Sequence, residues 1–156
     1  MYRRWRLYLD TSVFGGVFDL TEGYDESSRR VFSAALDGRA LICYSAAVLR
    51  ELVDAPEPVR ALFEALPIGS RVEIPLTDEV VALSEAYLIA GVVGRQWLDD
   101  ALHVAAATVA RADAIVSWNF KHIVRLDKIK AYNQVNLAQG YGILTIVSPK
   151  EVLFDE

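Results

Sequence analysis

The chain has 156 residues, of which 53% are hydrophobic and 24% charged, with nine glycines and five prolines. That is one domain's length with enough apolar content for a full core, and it excludes disorder, collagen-like repeats and low-complexity linkers. A formal net charge of −5 argues against a basic surface that coats nucleic acid, but it allows a cation held among acidic side chains, because a bound ion reverses the local field.

The N-terminus carries Arg3, Arg4 and Arg6 and begins like a signal peptide. Its apolar stretch, Leu7–Leu9, is cut off by Asp10, so neither secretion nor membrane insertion is expected. No segment approaches the roughly 18 uninterrupted apolar residues of a membrane span. The lone cysteine, Cys43, excludes a disulfide framework and a cysteine-based zinc site, and it suits a reducing, cytoplasmic setting.

Leu7–Leu9 is the first of four short apolar runs that read as strands buried on both faces. Val31, Phe32, Ala35 and Leu36 then follow the spacing of an amphipathic helix ending at Gly38. Leu41–Tyr44 is the second run. After it, Ser45 is placed to cap a helix through Val48, Leu49, Leu52 and Val53 that Pro56 ends. Pro58–Leu66 reads as another short helix. Val72–Ile74, interrupted by Glu73, reads as an edge strand or a loop. Thr77-Asp-Glu opens a helix through Ile89, with acids in its first turn favoured by the helix dipole. Trp97–Arg111 is an alanine-rich helix able to pack closely on more than one side. Ala114–Val116 is the third run, Leu126–Ala138 a more polar helix, and Ile143–Val147 the fourth run. Ser148-Pro-Lys-Glu151 has the pattern of a capping box. Strands alternating with helices, without an internal repeat or a composition break, predict one domain over 1–156. Its expected form is a three-layer α/β/α sandwich around a mostly parallel sheet of four to five strands.

Ligands of an open α/β sheet bind beyond the carboxyl ends of its strands. Asp10-Thr11-Ser12 follows the first run, Ser45 with Glu51 the second, and Ser117 and Asn119 the third, while Asp99 and Asp100 open the alanine-rich helix. Each has an ordinary explanation alone. Asp10 suits a turn or cap, Asp99 and Asp100 suit a helix dipole, and Ser117 and Asn119 suit a loop. Glu51 lies roughly 130° from the centre of its helix's apolar stripe, as a solvated glutamate would. His103 reads as a hydrogen-bonded structural residue. Together, Asp10, Glu51 and Asp100 could bring carboxylates from three elements to one sheet edge, which is what a catalytic hard-cation site needs. Thr11, Ser12 and Ser117 could steady them or the substrate phosphate. Without a cation, such carboxylates would raise one another's pKa values.

Tyr8-Leu-Asp-Thr-Ser12, Leu49-Arg-Glu-Leu52, Asp99-Asp-Ala-Leu-His-Val-Ala105 and Ile115-Val-Ser-Trp-Asn-Phe-Lys-His122 occur in an order and at separations that resemble the PIN-domain family of metal-dependent nucleases. That family includes the VapC-like toxins of prokaryotic toxin–antitoxin pairs. The resemblance runs from Leu7 to about Val147. It implies that Asp10, Glu51 and Asp100 hold Mg²⁺ or Mn²⁺, and that RNA phosphodiesters are hydrolysed to 5′-phosphate and 3′-hydroxyl ends. It also implies a homodimer and a cognate antitoxin. The family's fourth acid falls on Asn119, whose amide adds no negative charge, and Asp99 is the residue placed to compensate.

Trp118–Tyr132 holds Lys121, Arg125, Lys128 and Lys130 against the single acid Asp127, together with His122 and the aromatic Trp118, Phe120 and Tyr132. Cations beside aromatics suit a single strand of RNA, so Lys121, His122 and Arg125 are the expected RNA contacts. A solvated basic helix with Phe120 in the core is the other reading. Among rival functions, an aspartyl-nucleophile phosphatase would need an acid where Ser12 stands. A phospho-receiver would need a lysine after the last strand, which Ser148-Pro149-Lys150 matches poorly. A catalytically degenerate domain that binds RNA or protein remains the main alternative to an active ribonuclease.

Overall fold

The four apolar runs all enter one sheet in the computed structural model, which describes residues 4–153; Arg3 lies outside the described residues. Strands β1 (Trp5–Leu9), β2 (Ala40–Ser45), β3 (Arg71–Ile74), β4 (Ala114–Val116) and β5 (Ile146–Val147) pair in the order β3-β2-β1-β4-β5. Every pairing is parallel. Between them run α1 (Thr11–Gly16), α2 (Tyr24–Leu36), α3 (Ala46–Val53), α4 (Glu57–Ala65), α5 (Asp78–Ile89), α6 (Leu98–Val109) and α7 (Leu126–Ala138). The helices flank the sheet, as the expected α/β/α sandwich requires. Among the described residues no helix is long and apolar enough to cross a membrane.

Capping chemistry sets several boundaries. Ser45 Oγ accepts from Ala47 N at 3.2 Å to open α3. Thr77 Oγ1 accepts from Val80 N at 3.3 Å to open α5, with Asp78 and Glu79 in its first turn. Helix α2 stops before Gly38, whose φ of +76° lies in the left-handed region that favours glycine. The core joins Tyr8 and Leu9 of β1, Ile42 of β2 and Ile115 of β4 to Phe14, Val31, Leu83, Tyr87, Tyr132 and the buried alanines of α6.

Three elements differ from the sequence reading, and a fourth, read as an edge strand or a loop, is the strand. Ile143–Val147 contributes only Ile146–Val147 to the sheet, because Asn133 of α7 takes both the N–H (2.7 Å) and the carbonyl (3.1 Å) of Leu144. Ile143 is accordingly left 72% exposed. Val72–Ile74 resolves as an edge strand, starting at Arg71 and paired only to β2, with Glu73 facing solvent. The expected capping box at Ser148–Glu151 does not close: Ser148 makes no side-chain cap bond, and Pro149–Glu151 is a single 3₁₀ turn. Helix α1, six residues with two glycines, carries too short a pattern to be read from periodicity.

Candidate active site

The strand order reverses between β1 and β4, so a crevice opens beyond their carboxyl ends. Asp10 follows β1 there and is 4% exposed. Its Oδ1 accepts from Ser12 Oγ at 2.6 Å and its Oδ2 from Ser117 Oγ, beyond β4, at 2.7 Å. Ser12 Oγ in turn accepts from Trp118 N, and Ser117 Oγ from Asn119 N, each at 2.9 Å. Two serines and two backbone amides thus fix one carboxylate. Burial still raises the Asp10 pKa, against the lowering influence of the His103 charge and the two hydroxyls.

Glu51 arrives from α3 and His103 from α6. His103 Nε2 donates to Glu51 Oε1 at 2.6 Å, although the Glu51 side chain is 36% exposed and that of His103 only 1%. The other ring nitrogen, Nδ1, lies 2.8 Å from the Tyr8 hydroxyl, which is 2.7 Å from Ser45 Oγ. A buried chain Ser45–Tyr8–His103 therefore ends on the Glu51 carboxylate. Burial opposes charge on His103, but the bond to Glu51 and the field of Asp10, Glu51 and Asp100 outweigh it, and its pKa is raised. Burial likewise opposes charge on Glu51, and the His103 contact outweighs it, so that pKa is lowered. The Thr11 hydroxyl, buried and without a hydrogen bond of good geometry, lies close enough to help hold the Glu51 charge.

Asp100 sits in the first turn of α6. Burial, with the negative charges of Asp10 and Glu51, pushes its carboxyl up to about 6, against the opposing His103 charge and a hydrogen bond from Asn119. Asp99 turns to Arg50 at 3.0 Å instead. Asn119 uses its Oδ1 to accept the backbone N–H groups of Lys121 (3.2 Å) and His122 (2.9 Å). Its amide oxygen thus closes the turn after β4, and the side chain lies close enough to Asp100 to favour the charged carboxylate.

Of the expected RNA contacts, Lys121 is exposed with its ammonium 5.8 Å over the Trp97 ring, and His122 stacks on Trp97. Arg125 is doubly bonded to Asp127, at 2.6 and 2.8 Å. Lys128 donates to the Val92 carbonyl. Trp118 and Tyr132 belong to the core at 8% and 0% exposure, whereas Phe120 is 42% exposed, which excludes the reading that placed Phe120 in the core.

Asp10, Glu51 and Asp100 therefore come from three elements into the neighbourhood of His103, close enough to shift its titration and one another's. This donor chemistry suits a hard divalent cation: Asp100 is raised first by burial and then by the charges of Asp10 and Glu51, and a cation would offset both. As they stand, Glu51 is drawn onto His103, and among the described residues no three His, Cys, Asp or Glu side chains are gathered tightly enough to grip an ion. The residues fit a cation in kind, with Glu51 committed elsewhere. Sequence reasoning set His103 aside as structural. The signal that could have found it is Tyr8, whose hydroxyl in a doubly buried strand needs a polar partner.

No family model and no curated protein matches the sequence. Among solved structures, the crystal structure of VapBC2 from Rickettsia felis bound to a DNA fragment from their promoter contains a chain with the same fold. The TM-score is 0.53 at 13% identity, over 92% of this chain and 98% of that one.

Proposed function

We propose that this protein is a metal-dependent ribonuclease of the toxin–antitoxin kind, hydrolysing phosphodiester bonds of single-stranded RNA. The observation that carries the reading is the convergence of Asp10, Glu51 and Asp100 on His103 at the topological switch point. The fold shared with a chain of the VapBC2 complex supports it and an antitoxin partner; the homodimer and the cytoplasmic setting are part of the proposal and rest on the family resemblance and the lone cysteine. Asp10, held by Ser12 and Ser117, and Asp100, beside Asn119, would bind Mg²⁺ or Mn²⁺, with Glu51 joining them when it leaves His103. Such an ion, when bound, supplies a Lewis acid that neutralises phosphate charge and lowers the pKa of a water. The chain's own residues fix the carboxylates and keep Asp10 buried. Ser12 and Ser117 lock one rotamer of Asp10, and no protein nucleophile is needed.

A second reading, a binding domain without catalysis, draws on one observation: the Asn119 oxygen is spent on its own turn. Incubation of labelled single-stranded RNA with purified protein and Mn²⁺, with and without chelator, separates the two. Cleavage that needs the metal and is lost in Asp10→Asn supports the nuclease. Binding without cleavage at any metal concentration supports the second reading.

A further inference from the structure

Two aromatic stacks border the crevice, and they differ in what they can still do. In the first, Tyr24 lies on Trp118 at 3.8 Å and 7°. The indole N–H of Trp118 is spent on Ser28 Oγ at 2.8 Å and its ring is 8% exposed, so that stack is closed. In the second, His122 lies against Trp97 at 4.3 Å and 29°, and Trp97 is 39% exposed. His122 Nε2 is buried without a hydrogen-bond partner, so the ring serves by its face and not by its polar edge. Lys121, exposed and on a flexible stem, carries its ammonium over the indole.

This second stack adjoins the acidic crevice. Trp97 is the residue on which α6 begins, three before Asp100. His122 is held from below by the Tyr132 hydroxyl, which donates to its carbonyl at 2.9 Å. From the side it is held by Asn119, which accepts its N–H at 2.9 Å and lies close enough to Asp100 to favour its charged form. One asparagine therefore stands between the stack and a crevice carboxylate.

We propose that Trp97, backed by His122 and flanked by Lys121, is a stacking subsite for an unpaired nucleobase of RNA, with Lys121 meeting the adjoining phosphate. The proposal rests on the ribonuclease reading above and adds to it residues that position the strand. An exposed indole already immobilised against a second ring loses little freedom when a base lands on it. Stacking of this kind tolerates any base, because each has a π-face. A base on Trp97 would anchor the strand beside Asp100 by contacts that need no metal.

The test is binding of a fluorescein-labelled single-stranded RNA of about ten nucleotides, followed by anisotropy in excess chelator so that cleavage does not intervene. Trp97→Ala is expected to weaken binding about tenfold, with Trp97→Phe retaining most of it. His122→Ala, which removes the support but leaves the indole, is expected to give an intermediate loss. A series of RNAs with one abasic site moved along the strand should contain a position that weakens the wild type by a similar factor and leaves Trp97→Ala unchanged. Equal binding by wild type and Trp97→Ala, or abasic losses that multiply with the Trp97 loss at every position, would overturn the subsite while leaving the ribonuclease reading intact. Failure of the wild type to bind RNA at all would overturn the underlying reading and the subsite with it.

Discussion

Glu51 and His103, 52 residues apart in the chain, meet at 2.6 Å. The contact joins α3 to α6 and holds the imidazole within the field of Asp10, Glu51 and Asp100. The imidazole is the group onto which the Glu51 carboxylate is drawn, and its other nitrogen is tied through Tyr8 to the sheet. His103→Leu keeps the approximate volume but leaves the fully buried Tyr8 hydroxyl with Ser45 as its one remaining partner and Asp10 without its neighbouring charge. The expected loss is about 2–3 kcal/mol in urea unfolding, chiefly from the buried groups, since water can take over at the partly exposed Glu51. A His103/Glu51 double-mutant cycle should show coupling of no more than about 1 kcal/mol. A neutral His103→Leu would mean that the Tyr8 and Asp10 contacts carry no net stability.

The same cluster fixes how stability varies with pH in chelator. The folded pKa of Asp100 is raised to about 6, and that of His103 is raised above its ordinary 6.5. Each contributes stability that is fully present below its unfolded pKa and is lost as pH rises through its folded pKa. Glu51, lowered from 4.5, acts in the opposite sense, contributing above its unfolded pKa and losing that contribution as pH falls. The thermal midpoint should therefore be highest at about pH 4.5, fall as Asp100 ionises toward pH 6, with the raised Asp10 adding to that decline, and fall again above pH 6.5 as His103 loses its proton. Asp100→Asn removes one raised acid. The full shift would be worth about 3 kcal/mol, which partial exposure reduces to about 1–2 kcal/mol of stabilisation at pH 7.5. The variant should flatten the decline while abolishing metal-dependent cleavage. A midpoint that rises steadily from pH 5 to 8 would contradict the sign.

How much of this was legible in the sequence follows from how local each signal is. Strands β1, β2 and β4 announce themselves because burial on both faces makes each an unbroken apolar run. The Ile143–Val147 run looks the same, but a side chain from α7, Asn133, takes over the backbone of Leu144, and no local pattern encodes that. The carboxylates could be placed at one sheet edge because topology alone sends strand ends there. The commitment of Glu51 to His103 could not, since it depends on the rotation of two helices. His103 sits among alanines, and only the buried Tyr8 hydroxyl hints at its partner. Trp97 escaped notice because the sequence places it 25 residues from His122, with β4 between them.

Gly16 tests the packing behind Asp10. A Cβ at Gly16 would fall 2.4 Å from Trp118 Nε1 and 2.5 Å from Ser28 Oγ, so Gly16→Ala must break the hydrogen bond that closes the Tyr24–Trp118 stack. The cost should be about 1–3 kcal/mol. Because Trp118 N also donates to Ser12 Oγ, the displacement should reach the Asp10 carboxylate. Tryptophan emission should shift to the red, and cleavage should fall with it. An unchanged emission maximum would show that the stack accommodates the methyl group.

Asn119→Asp separates the two duties of that side chain. A carboxylate oxygen can still accept the N–H groups of Lys121 and His122, so the turn after β4 should survive. What disappears is the neutral side chain that favours the charged form of Asp100, replaced by a like charge beside a carboxyl already pushed up to about 6. In chelator the variant should be less stable at pH 7.5 by about 1–2 kcal/mol, and less so at pH 5, where Asp100 is protonated. A divalent cation would offset that repulsion, so Mn²⁺ titration followed by thermal shift should give a larger rise in midpoint, and a tighter apparent affinity, than in wild type. Asn119→Ala is the control: it withdraws the turn-closing oxygen and should loosen His122 and Trp97 without strengthening the response to metal. If Asn119→Asp leaves both the metal-free stability and the Mn²⁺ response unchanged, its side chain does not share the field of Asp100.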